Sequence, residues 1–400
     1  MLNFKKYIMI SLRYYLKFNI LSFIIIKLTK QILIGEFMSK EPMSKIKKII
    51  ILFSSLFLVS IAALYYLNKK HIVNLNNITS YWHANKTDNT NEQANAEQND
   101  NKEEVKEPEK KVKSLEEKQA TMAADAATMK SLGLYFDYAN MTLPEVVQAY
   151  LKENGIKNSQ IAFSYKNLNT GELIEMNETQ PMTAGSTYKL PLNMIIIDDF
   201  DKYNLSMTER YDITKTEYEY IGEHDTYVRV FNGAMTIPQM QYYSLVYSEN
   251  TPAYALGDRI GGVSKVYDMY NRYGESKGEL KTFSTDNKTT TNYYIQVLQH
   301  LWDNKEKYKD IRQYIGESFP GEYYKRYLPN LQIEQKPGYV NDALNVDAIV
   351  YEKTPYIIAL YTAGLGGTTP ANQEINLVGL NQVGQLSYVI NEWHRVNMNM

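Results

Sequence analysis

The sequence has no cysteine among its 400 residues, and this absence excludes several kinds of site. Without thiols there can be no disulfide framework, thiolate metal site, cysteine nucleophile or lipid-modified cysteine anchor. An excess of either charge is also lacking, since 43 basic and 45 acidic residues leave a formal net charge of -2. Nucleic-acid binding requires a basic face, so we expect no nucleic-acid partner. No phosphate loop or dinucleotide fingerprint is present either.

Long apolar runs are confined to the first 70 residues. Residues 49–68 carry no charge and, at 1.5 Å per residue, can cross a hydrocarbon core of roughly 30 Å. Lys45, Lys47 and Lys48 precede this run, so the positive-inside rule favours a cytoplasmic N-terminus and an exported remainder. The sequence therefore predicts a single-pass membrane protein. A signal peptide cleaved near residues 60–62 is the alternative.

Composition divides the chain into four segments. Residues 1–48 form a predicted cytoplasmic segment, although Met43 begins a more typical anchor and is a candidate start. The predicted anchor at 49–68 is followed by a polar extracytoplasmic linker at 69–135, which has too few large apolar residues to fold alone. A loose helix is expected at its end, over 115–135. Residues 136–400 are predicted to form one domain.

The order of patterns within that domain predicts an α+β fold. A helix capped by Thr142 precedes two short strands at 161–167 and 172–176. Helical patterns dominate from 186 to about 308, strands return at 346–351 and 356–361, and a last helix covers about 376–396. We therefore expect an antiparallel sheet built from both ends of the domain, flanked by helices, with an all-α lobe inserted and a cleft between the two.

Three short motifs carry the chemistry: Ser186-Thr-Tyr-Lys189, Ser248-Glu-Asn250 and Lys336-Pro-Gly338. Ser186 and Lys189 share a helix face at i and i+3, and a desolvated lysine can take the proton of a serine hydroxyl. Each motif alone is weakly specific. All three in this order predict a serine nucleophile that needs no histidine, metal or cofactor.

The remaining motif residues fit supporting roles. The hydroxyl of Ser248 can relay a proton to a leaving nitrogen, and Asn250 can hold Lys189 and a substrate amide. Lys336 offers a positive charge for a substrate carboxylate, and Gly338 lets the substrate approach a strand edge. The backbone N–H groups of Ser186 and Tyr339 would form the oxyanion hole.

Over residues 140–396 the pattern resembles the class A β-lactamases. Three segments carry the resemblance: Ala184-Gly-Ser-Thr-Tyr-Lys-Leu-Pro191, Met235-Thr-Ile-Pro leading to Ser248-Glu-Asn-Thr-Pro-Ala253, and Lys336-Pro-Gly followed by Ala348-Ile-Val350. The resemblance implies a penicillin-recognising serine hydrolase with Ser186 as its nucleophile.

Two departures from the family pattern bear on the function. The family's Ω-loop glutamate motif is missing between Tyr273 and Thr289, where Glu275 and Glu279 are the remaining candidates for a deacylating base. Pro337 stands where the family usually has threonine, which removes a hydroxyl that helps to bind the substrate carboxylate. The resemblance therefore implies intact acylation machinery and slow deacylation.

The leading hypothesis is a membrane-anchored extracytoplasmic serine hydrolase that acts on β-lactams or on a D-amino-acid-containing wall peptide. We expect it to be monomeric. The alternative is a non-catalytic wall-binding module that kept the fold, as Pro337 and the missing glutamate motif would allow. His224 has no second histidine nearby and is expected in a loop, so no metal site is predicted.

Overall fold

The structure is a computed structural model that describes residues 113–216, 221–278, 287–366 and 374–398. The predicted segment at 1–48, the predicted anchor at 49–68 and most of the predicted linker lie outside the described residues. Within the described ranges, no helix has both the length and the apolar content needed to cross a membrane.

Nine strands are described, and five of them form the main sheet. In chain order they are β1 (Ile161–Asn167), β2 (Leu173–Met176), β3 (Met182–Thr183), β4 (Tyr211–Asp212), β5 (Ala234–Met235), β6 (Lys288–Thr289), β7 (Ile333–Val340), β8 (Ala343–Val350) and β9 (Tyr356–Thr362). The main sheet is antiparallel in the order β2-β1-β9-β8-β7, and β3 with β6 and β4 with β5 make two small pairs. The predicted antiparallel sheet is therefore present.

Both ends of the domain contribute to the sheet, as the order of patterns predicts. Strand β1 pairs with β9 along its whole length, from Ile161 opposite Thr362 to Asn167 opposite Tyr356. Strands β7 and β8 form a hairpin whose tight turn contains Asn341 at φ 53°, a left-handed conformation that asparagine tolerates. This hairpin makes β7 an edge strand of the sheet.

Ten α-helices are described, most of them in the inserted lobe. They are α1 (Leu115–Leu132), α2 (Leu143–Glu153), α3 (Lys189–Asp198), α4 (Ile221–Val230), α5 (Ile237–Val246), α6 (Asn250–Arg259), α7 (Val263–Tyr267), α8 (Thr291–Asp303), α9 (Lys309–Glu317) and α10 (Leu377–Asn397). Thr142, Thr236 and Thr290 cap α2, α5 and α8 with their side chains, which explains where these helices begin. Helix α7 ends at Tyr267 and is followed by a 3₁₀ turn at Tyr270–Arg272.

Two hydrophobic cores cover the two faces of the sheet. Phe163 and Leu360 pack against the terminal helices α2 and α10, whereas Ala162 and Ile357 face the helical lobe. Because both faces are covered, β8 and β9 are buried at every position. The sheet thus joins the lobe to the terminal helices and carries its edge strand β7 to the border of the lobe.

Helix α1 lies within the predicted linker at 69–135 and packs against the domain. Helix α1 is a regular helix with a capping box at Ser114, and its Met122 and Met129 are buried in the same core as α10. The Asp125 carboxylate pairs with Arg395 of α10 at 2.8 Å. The sequence signal is weak because only two residues of α1, Met122 and Met129, are buried, and Ala126 and Leu132 are partly buried beside them.

Candidate active site

The first motif lies on a short turn rather than on a full α-helix. Residues Gly185–Tyr188 form a 3₁₀ turn, and α3 begins at Lys189. A 3₁₀ helix has three residues per turn, so positions i and i+3 eclipse each other. The structure therefore brings Ser186 and Lys189 together, with 3.1 Å between Lys189 Nζ and Ser186 Oγ.

Two glycines allow this turn to lie directly against the edge strand β7. Gly185 has φ 59°, and a Cβ built on it would lie 3.1 Å from both Gly338 C and Tyr339 N. A Cβ on Gly338 would lie 2.7 Å from Ala184 O. Any side chain at either position would push the two segments apart. The close approach places the Ser186 backbone beside that of Tyr339.

Lys189 is buried and surrounded by acceptors. Besides Ser186, its Nζ donates to the Ser248 carbonyl at 2.5 Å and to Asn250 Oδ1 at 2.7 Å. Burial lowers the pKa of Lys189 to about 7, against the opposing effect of the Glu223 and Glu249 charges. A lysine with this pKa is partly neutral near pH 7 and can accept the proton of the Ser186 hydroxyl.

Ser248 connects the lobe to the strand that carries the third motif. Its Oγ accepts a 2.7 Å hydrogen bond from Lys336 Nζ, which also donates to the Pro337 carbonyl at 2.8 Å. Ser248 has φ 60°, a left-handed conformation that costs a serine energy and is held by its surroundings. Burial and the nearby Lys189 hold the pKa of Lys336 well below its ordinary value.

The Asp347 carboxyl group, which the sequence analysis did not predict as part of the site, lies beside Lys336 in the sheet. Asp347 on β8 is the register partner of Lys336, and burial raises its pKa well above the ordinary value. The Tyr361 hydroxyl lies 3.2 Å from Asp347 Oδ2 and 2.9 Å from Thr187 Oγ1, which connects the sheet to the nucleophile turn. The one signal in the sequence is an aspartate within the apolar run at 346–350.

A second carboxyl group comes from a segment expected to be a loop. Residues Ile221–Val230 form helix α4, where the His224 ring contacts the Ile213 carbonyl at 2.9 Å. The neighbouring Glu223 accepts hydrogen bonds from the backbone of Asn250 and Thr251. No sequence motif marks this contact, because its donors are backbone groups.

Of the two candidate deacylating bases, the structure describes Glu275. The Glu275 backbone is fixed by two hydrogen bonds to Gln296, while its side chain is exposed. Glu275 and Ala184 line a cavity of about 480 Å³ on the lobe side of the nucleophile turn. Glu279 lies outside the described residues. Within the described ranges, no carboxylate is hydrogen-bonded to Lys189.

The structure thus brings the predicted site residues into one cluster. Ser186, Lys189, Ser248, Asn250 and Lys336 are connected by hydrogen bonds of 2.5–3.1 Å. The backbone at Gly338 and Tyr339 closes the cluster on the side of the sheet. A serine, a buried lysine and a bridging hydroxyl so arranged can carry out acyl transfer.

Similar solved structures define the class of fold. A beta-lactamase from Xanthomonas campestris pv. campestris has 18% identity and a TM-score of 0.51, with 61% of this chain and 97% of that chain covered. An ancestral class A beta-lactamase has 16% identity and a TM-score of 0.51, with 61% of this chain and 98% of that chain covered. The class A beta-lactamase of the last common ancestor of Gram-negative bacteria has 16% identity and a TM-score of 0.51, with 62% of this chain and 98% of that chain covered. At these identities the likeness shows a beta-lactamase-like fold and no particular activity.

The family follows from the sequence itself. The sequence profile of the beta-lactamase enzyme family matches residues 142–388, more than half of the chain. The chain therefore belongs to the beta-lactamase enzyme family, and the resemblance to a β-lactamase-like serine hydrolase is confirmed. No curated protein matches the chain.

Proposed function

We propose that this protein is an acyl-transferring serine hydrolase whose nucleophile is Ser186. The observation that carries the proposal is the position of Lys189, a buried amine 3.1 Å from the Ser186 hydroxyl with a pKa lowered to about 7. Such a lysine serves as the general base that a serine nucleophile requires.

In the proposed acylation, Ser186 Oγ attacks the carbonyl carbon of an amide and its proton moves to Lys189 Nζ. The oxygen of the tetrahedral intermediate is held by the backbone N–H groups of Ser186 and Tyr339. When the C–N bond breaks, the nitrogen takes the hydroxyl proton of Ser248. The proton held by Lys189 Nζ then restores the Ser248 hydroxyl, which Lys336 keeps in place through a 2.7 Å hydrogen bond.

Lys336 favours substrates that carry a carboxylate. Its ammonium is costly to keep in a buried site, since burial and Lys189 both lower its pKa. A substrate carboxylate beside it would restore the positive charge and take the place of lost solvation. Asn250 would hold the substrate amide. β-Lactams and D-amino-acid-containing wall peptides both combine a carboxylate with a reactive or terminal amide.

Deacylation is proposed to be slow. The ester can be hydrolysed only if a base activates a water molecule at the ester carbonyl. The described hydrogen bonds of Lys189 go to a hydroxyl, a carbonyl and an amide oxygen, and Glu275 has an exposed side chain. A membrane anchor at 49–68 with the domain on the extracytoplasmic face completes the proposal, because wall substrates lie there.

The test is covalent labelling with a fluorescent penicillin and with a fluorophosphonate. Wild-type protein should be labelled by both probes, whereas Ser186→Ala should be labelled by neither. Ser131→Ala removes an exposed hydroxyl from α1 and is the matched control, expected to label like the wild type. Equal labelling of wild type and Ser186→Ala would refute the proposal. Complete inertness together with retention on purified peptidoglycan would favour the non-catalytic wall-binding module.

A further inference from the structure

Helix α6 begins in an unusual way at the centre of the site. Glu249 is its N-cap residue, yet its side chain makes no capping hydrogen bond. The carboxylate of Glu223, from α4, accepts the backbone N–H of Asn250 at 2.9 Å and that of Thr251 at 2.6 Å. The first N–H groups of a helix lack partners within it, so Glu223 supplies the cap from another helix.

This contact holds the segment that surrounds the lysine. Of the three acceptors bonded to Lys189 Nζ, two lie on that segment: the Ser248 carbonyl and Asn250 Oδ1. Ser248 is in a left-handed conformation, which the chain keeps only when its neighbours are fixed. The Glu223 carboxylate fixes the two residues that follow Glu249.

The same carboxylate belongs to a small group of interacting charges. Burial and the adjacent Glu223 raise the pKa of Glu249 to about 7. The Glu223 charge is the strongest of those that oppose the lowered pKa of Lys189, and Glu249 adds to it. The other groups facing Lys189 are Lys336 on β7 and the ring of Tyr188, whose centroid is 5.7 Å from Nζ.

We propose that Glu223 is a positioning residue of this site, which holds the Ser248–Thr251 segment by capping α6 and places a negative charge behind Asn250, an acceptor of Lys189. The proposal rests on the proposed function, since it assigns Glu223 a part in the acylation of Ser186. Glu223 lies outside all three motifs, and its hydrogen bonds to the backbone of Asn250 and Thr251 carry the proposal.

The test measures the titration of Lys189 directly and so does not depend on acylation. Full-length protein containing ¹⁵Nζ-labelled lysine is titrated by NMR, with Lys189→Arg to assign the signal. Glu223→Gln keeps an acceptor oxygen but removes the charge, so the pKa of Lys189 should fall by ~1 unit, the order expected for loss of one nearby charge. Asp225→Asn removes an exposed charge from the same helix and should leave the titration unchanged.

A parallel measurement follows the pH dependence of labelling by fluorescent penicillin. In Glu223→Gln the acidic limb of the rate should move to lower pH by the same amount, which a loss of packing alone would not produce. Unlabelled wild type would refute the proposed function, while the NMR titration would still decide on Glu223. Coincident Lys189 titrations in wild type and Glu223→Gln would overturn the inference.

A wild-type measurement serves if Glu223→Gln does not fold. The backbone N–H groups of Asn250 and Thr251 donate to the Glu223 carboxylate. This carboxylate interacts with Glu249, whose pKa is about 7. Their chemical shifts should therefore titrate together near pH 7. Flat shifts between pH 5 and 9 would overturn the inference.

Discussion

The protonation of Lys189 should control how the acylation of Ser186 depends on pH. With a pKa of about 7, the neutral amine makes up about a tenth of the protein at pH 6 and about nine tenths at pH 8. If neutral Lys189 takes the serine proton, the acylation rate should rise about tenfold over this range. Glu249 loses its own proton near the same pH and raises the pKa of Lys189, so the rise should be somewhat shallow.

The assay is stopped-flow acylation with an excess of fluorescent penicillin from pH 5.5 to 8.5, with the adduct on Ser186 located by mass spectrometry. Lys189→Arg is the control variant, because a guanidinium stays protonated throughout this range. Its rate should be lower by roughly 10²–10⁴, the usual contribution of a general base, and should show no limb near pH 7.

Two results would refute this reasoning. A wild-type rate that is flat from pH 5.5 to 8.5 would mean that Lys189 does not titrate in the acylating state. A rate in Lys189→Arg equal to that of the wild type would assign the base to another group. Either result would remove the observation on which the proposed function depends.

Three further predictions concern turnover, the contact between the two glycines, and stability. After an initial burst, nitrocefin should be hydrolysed in the steady state at a rate well below the median enzyme rate of about 10 s⁻¹. Turnover near that rate, abolished by Glu275→Gln, would instead identify Glu275 as the base. Gly338→Ala should lower the labelling rate at least tenfold without changing affinity for an unreactive carboxylate ligand, because its Cβ would lie 2.7 Å from Ala184 O; unchanged labelling would contradict this. Burial and Asp125 raise the pKa of Glu392 to about 8, so between pH 4.5 and 8 the folded protein keeps a proton that the unfolded chain loses, and stability should fall as pH rises. Glu392→Gln should flatten the dependence of Tm on pH in that window, as measured by calorimetry.

Local patterns were sufficient to predict the main architecture. The cap at Thr142, the strand patterns at 161–167 and 356–361, and the last helix depend on neighbouring residues, so they can be identified from the sequence. The three motifs are similarly local. Their convergence follows from the topology, since β1 and β9 pair and leave β7 at the edge beside the nucleophile turn.

What the sequence did not reveal depends on contacts between distant residues. Glu223 acts on the backbone of Asn250, 27 positions away, and a backbone N–H leaves no residue type to recognise. Asp347 lies at the site because strand pairing between β7 and β8 places it opposite Lys336. Helix α1 buries Met122 and Met129 in the core, and two buried residues on a mostly polar helix give little periodic signal.

The pairing of β1 with β9 also has a consequence for how the chain folds. The two strands are some 200 residues apart, so the centre of the sheet cannot form until nearly the whole domain has been made. Until then β1 exposes its apolar face, which carries Ile161, Phe163 and Tyr165, and an unpaired edge, and both features promote aggregation. Truncation just before Tyr356 should therefore remove the partner of two central strands and leave an aggregation-prone intermediate instead of a smaller folded domain.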